Sequence, residues 1–120
     1  MLAVDRVPPM KSRPVKHRIR VENTRPATVE IDSVARAAYV RFKKSKVHRT
    51  ACVPAKGCII TADYDRSGEV VGVEFVGIQE FSIKVLLKKA SVDAPKIDLS
   101  RTRYVSPGVG RRDVGEIAVA

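Results

Sequence analysis

The chain contains no tryptophan, only three tyrosines and three phenylalanines, two histidines and two cysteines. Each shortage excludes something. Two cysteines, Cys52 and Cys58, are too few for a disulfide framework or a four-ligand zinc site, so they read as small apolar residues buried in a reducing compartment. The histidines, His17 and His48, stand beside no acid and nucleophile, and there is no HExxH, nucleophile elbow or glycine-rich loop opening a helix. The chain therefore reads as a non-enzyme, with no catalytic residues, no metal ligands and no cofactor. The opening stretch MLAVDRVPPMKSRP lacks the apolar segment of a signal peptide, and nowhere does an apolar run reach the roughly eighteen residues of a membrane span. A cytoplasmic protein with no membrane partner is expected.

What is present is positive charge. Lys and Arg number 23 against 13 Asp and Glu, a net charge of +10, with a pI of about 10.1. That balance favours polyanionic partners such as RNA or DNA, and is silent on fold. The 120 residues make one domain, and if both ends are extensions the packed body is small enough that a protein partner or a homodimer is a fair expectation.

Periodicity supplies the architecture. From Cys58 to Val76 two alternating apolar runs flank the turn Asp65-Arg66-Ser67-Gly68, which marks a β-hairpin: Asp65 can bond backbone amides two residues on, and Gly68 accepts a positive φ. Its core side carries Cys58, Ile60, Ala62 and Tyr64 facing Val71, Val73 and Phe75, while Thr61, Asp63, Gly72 and Glu74 turn outward. Val29 to Ile31, Ala37 to Phe42 and Val47 to Val53 read as further short strands, the last stopped by Pro54. In Phe81 to Ala90 strand-like alternation competes with a helical stripe of Ile83, Leu86, Leu87 and Ala90. Ser82 as N-cap, Phe81 and Leu86 as a hydrophobic staple, and Lys88 and Lys89 in the last turn decide for a helix.

The expected fold is thus α+β: a small antiparallel sheet of about four strands with one helix packed on one face. Residues 29–90 form this core domain, 1–28 a basic extended arm and 91–120 a C-terminal tail in which Ile97, Leu99 and Tyr104 are isolated apolar anchors. The arm holds seven basic residues against Asp5 and Glu22. Within it Val15, His17, Ile19 and Val21 alternate with basic residues, as either a strand added to a sheet edge or an arm that orders on a partner.

The segments Asp32-Ser33-Val34-Ala35-Arg36-Ala37-Ala38-Tyr39-Val40-Arg41-Phe42 and Asp63-Tyr64-Asp65-Arg66-Ser67-Gly68-Glu69-Val70-Val71-Gly72-Val73-Glu74 resemble the small bacterial domain-of-unknown-function family 2283. The resemblance covers about Val29 to Ala90 and departs from the family pattern at Arg36, where an acid is usual. It implies a short antiparallel sheet followed by a helix, and, for some members, a place in a toxin-antitoxin pair.

Candidate site residues follow from charge. Arg13, Lys16, Arg18 and Arg20 lie on the arm; Arg41, Lys43, Lys44, Lys46, His48 and Arg49 cluster around the connection between two strands. Together they suit electrostatic, weakly sequence-selective contact with phosphates. The outer sheet face, with Tyr39 as its one aromatic and Arg41 mixed with Asp63 and Glu74, is a poor stacking platform. The rival reading is a protein-interaction module, such as an antitoxin, docking through an edge strand or a tail. A hydrolase using Asp63 or Asp65 with a metal is the remaining alternative.

Overall fold

A computed structural model describes residues 18–106. It is a small α+β fold with one α-helix and two sheets among the described residues. The strands are β1 (Ile19–Arg20), β2 (Thr28–Asp32), β3 (Ala37–Arg41), β4 (Arg49–Val53), β5 (Ile59–Tyr64), β6 (Val70–Val76), β7 (Val92–Asp93) and β8 (Arg103–Val105); the helix α1 is Ile83–Lys89. Six strands make the main sheet in the order β4-β5-β6-β3-β2-β8, and β1 with β7 forms a separate parallel pair. None of the described helices is long and apolar enough to cross a membrane.

The expectation of about four strands undercounts the sheet. Its antiparallel centre is as expected, but β8 joins β2 in parallel, with Tyr104 opposite Val29. Strands of two or three residues carry no readable period; they exist because a distant segment offers backbone partners. The Ile19 amide donates to the Ser91 carbonyl at 3.0 Å and the Val21 amide to that of Asp93 at 2.9 Å.

For the same reason the packed body reaches beyond 29–90 at both ends. Ile19, Val21 and Ala27 from the basic segment and Ile97 from the C-terminal one belong to the buried cluster that contains Val29, Val40, Phe42, Ile60, Val73 and Phe75. Leu99 packs against it, and the Tyr104 hydroxyl accepts the Ile83 amide at 3.0 Å, satisfying one free donor at the start of α1. The expected features of residues 1–17 and 107–120 lie outside the described residues.

The hairpin and helix form through local chemistry. Asp65 Oδ1 accepts the Ser67 and Glu69 amides, both at 3.0 Å, and Gly68 has φ +91°. The helical stripe wins over strand alternation because Ile83, Leu86, Leu87 and Ala90 are all buried, whereas Val85 is only half-buried. Ser82 Oγ caps α1 by accepting the Val85 amide at 3.4 Å, and Ser91 closes the helix with φ +56°. The cysteines do not behave as expected: Cys52 is exposed on edge strand β4 and Cys58 is half-buried, because alternation turns Cys52 to the outer face and Cys58 precedes β5 at the rim.

Removing the Ile19 side chain tests whether the N-terminal basic segment belongs to the core. Ile19→Ala is expected to lower unfolding free energy by about 2–5 kcal/mol in urea titration, whereas a change confined to about 0.5 kcal/mol is the result for a peripheral arm.

Candidate nucleic-acid interface

Strand register gathers charge at one end of the main sheet. The last residues of β3 and β5 and the first of β2, β4, β6 and β8 meet there, as shown by the pairs Thr28 with Arg41 and Arg103, Arg49 with Tyr64, and Tyr64 with Val70. The segments joining them bring Arg25, Arg66 and Arg101 to the same end as Lys43, Lys44, Lys46 and His48. At the other end, the turns after β2, β4 and β6 carry Arg36, Lys56 and Glu80.

Several of these cations already have partners. Lys43 Nζ donates to Asp65 Oδ2 at 2.8 Å and to Glu69 Oε1 at 2.6 Å, so it fastens the β3–β4 connection to the hairpin turn. Those two bonds raise the Lys43 pKa. Lys43 in turn is the first cause of the lowered Asp65 pKa, followed by the Ser67 hydroxyl. Arg41 pairs with Glu30, which is only 4% exposed, at 3.2 Å. Arg20 pairs with Glu22 at 2.6 Å and with Asp93 at 3.3 Å.

The expected set therefore divides. Arg41 and Lys43 are half-buried in ion pairs that join segments of the fold, Arg20 is ion-paired on the surface, and Arg18, Lys44, Lys46, His48 and Arg49 are exposed. Arg13 and Lys16 lie outside the described residues. The Arg49 guanidinium carbon lies over the Tyr64 ring, 4.3 Å from its centroid, a cation–π contact that positions the charged head while the residue stays exposed. Arg25, Arg66, Arg101 and Arg103 went unread as site residues, since only the register brings them to the cluster. Arg25 and Lys44 line a cleft of about 530 Å³ with Arg20, Asn23 and Lys43, against Glu22 and Glu69.

The outer face is bonded to itself. Tyr39 donates its hydroxyl to Asp63 Oδ2 at 2.8 Å, and Thr50 donates to Asp63 Oδ1 at 2.6 Å. To reach β5 from β3, the Tyr39 ring crosses β6 at Gly72, where a Cβ would stand 2.4 Å from the ring. Burial first, and then the bond to Asp63, push the Tyr39 pKa above that of free tyrosine, so the phenol stays protonated. Arg41 sits 5.0 Å from the centroid of the same ring. With its hydroxyl held and its ring over Gly72, Tyr39 stands as a strut between strands. Asp63 accepts from Tyr39 and Thr50, and Asp65 from Lys43, Ser67 and Glu69, which describes structural carboxylates. No group of three His, Cys, Asp or Glu suited to a metal occurs among the described residues.

No family model, curated protein or solved structure matches the chain.

Two measurements check this geometry. Gly72→Ala is expected to cost about 1–3 kcal/mol, and far less in a Tyr39→Ala background, because the clash needs both partners; equal costs in the two backgrounds would contradict the crossing. The second concerns pH. The folded Asp65 carboxyl is more acidic than the unfolded one, so its stabilisation is complete above about pH 4 and disappears as pH falls toward the lowered value. Thermal melts between about pH 5 and pH 2 should show a smaller fall in Tm for Asp65→Asn than for the parent.

Proposed function

We propose that this protein is a non-enzymatic, cytoplasmic nucleic-acid-associated protein whose contact with RNA or DNA is electrostatic and weakly sequence-selective. The observation that carries the reading is the basic end of the sheet: Lys44, Lys46, Arg49 and Arg66 have no ion-pair partner among the described residues. Cations spread over short connections reach a phosphate backbone without needing base edges. Ion pairs engage Asp65 and Glu69 with Lys43 and Glu30 with Arg41, so those carboxylates repel an approaching phosphate less. Selectivity is weak because Tyr39 is held as a strut and offers no free ring for base stacking. The resemblance to the family of unknown function adds only a neighbourhood, in which antitoxin-like binding of a protein is the second reading.

Fluorescence anisotropy with labelled duplex and single-stranded oligonucleotides tests this. With about four phosphate contacts, affinity should fall roughly a hundredfold between about 50 and 200 mM salt. The variant Lys44→Glu, Lys46→Glu, Arg49→Glu should weaken binding to all sequences alike and flatten the salt slope. Removing residues 1–17 takes away Arg6, Lys11, Arg13 and Lys16 while sparing the buried Ile19, Val21 and Ala27, and should also reduce affinity. Absent or salt-insensitive binding rejects the proposal.

A further inference from the structure

The main sheet has two edges, and they are unequal. β8 is three residues long, whereas β4 runs for five, Arg49–Val53, and its outer side pairs with no other strand among the described residues. An open strand edge displays backbone N–H and C=O groups that another strand can use. β4 also sits inside a continuous stretch, Ser33 to Ala62, that contains no aspartate or glutamate. Lys46 and Arg49 are exposed at its start and Lys56 just past its end, and the residues between, Thr50 to Val53, are small or β-branched and uncharged.

These features select the occupant. A second copy pairing antiparallel along β4 would set Lys56 of one chain near Arg49 and Lys46 of the other at both ends, a like-charge arrangement that opposes self-association. We propose that the β4 edge binds an extended acidic segment of a partner protein by strand addition, with carboxylates flanking a short β-branched centre. The partner's centre pairs with Thr50 to Val53 through backbone hydrogen bonds. Its acidic ends meet Lys46 and Arg49 on one side and Lys56 on the other. Pro54, which follows β4 directly, limits the paired stretch to about the length of the strand. The proposal shares Lys46 and Arg49 with the nucleic-acid reading and is distinguished from it by its need for the backbone donors and acceptors of β4, which charge alone does not supply.

The test uses the full chain and two synthetic heptapeptides, Glu-Glu-Val-Thr-Val-Glu-Glu and the same sequence with every peptide-bond nitrogen methylated, so that neither edge of the strand can donate. The two carry identical charge, and only the first can pair. Amide hydrogen exchange across β4 is expected to slow with the unmodified peptide alone, and Lys46→Glu with Lys56→Glu should weaken its affinity by about fivefold. Four results overturn the proposal. They are equal binding of the N-methylated peptide, unchanged exchange at β4 on binding, protection of the whole edge already present in the isolated chain, and concentration-dependent dimerisation in sedimentation. The first means that charge alone suffices, and the last two mean that the edge belongs to the chain itself or to a second copy.

Discussion

The close approach of the Tyr39 ring to Gly72 is the constraint on which the rest of the sheet depends. Strand β6 lies between β3 and β5, and only a residue without a Cβ lets the phenol cross it and reach Asp63. A slip of one residue would put Val71 or Val73 under the ring and turn the core side chains of β6 to the outer face. With register held, Val40, Val73 and Ala62 align on the inner face, as do Ala38, Phe75 and Ile60, and the helix stripe joins the same cluster. One glycine therefore couples the polar outer face to the apolar inner one.

The same register sorts the charges. Because six strands begin or end together, cations far apart in sequence share one end of the sheet, while the acids near them are engaged by Lys43 and Arg41. The Arg41–Glu30 pair illustrates the asymmetry of such contacts. Forming it in a partly buried setting gains little net energy, yet removing Arg41 would take a charged partner from the buried Glu30 carboxylate and cost more than the pair contributes. Arg20, Arg41 and Lys43 are engaged in ion pairs, whereas Lys44, Lys46 and Arg49 are exposed and in none among the described residues.

Legibility in the sequence follows locality. The Cys58–Val76 hairpin, its Asp65–Gly68 turn and the Ser82-capped helix were all readable, since each depends on residues within a few positions. The outer face was readable too, because alternation alone places Thr61, Asp63, Gly72 and Glu74 together. Strands β7 and β8 were not, and β1 was readable only as one of two alternatives for the basic segment: all three exist through partners dozens of residues away. The candidate site divides in the same way. Lys44, Lys46, His48 and Arg49 form a cluster in the chain itself, whereas Arg25, Arg66, Arg101 and Arg103 join it only through topology. Neutralisation of Lys43 was equally hidden, since its carboxylates lie 22 and 26 positions on.

The central claim is that one end of the sheet is the contact surface and the outer face is not. Backbone amide chemical-shift mapping of the full chain with a short oligonucleotide at low salt tests it most directly. The account predicts perturbations at Lys44 to Arg49, Arg66 and Arg101 to Arg103, with Thr61 and Glu74 at the middle of the outer face unmoved. Perturbations centred on Thr61, Glu74 and Tyr39, or none at all, would contradict it.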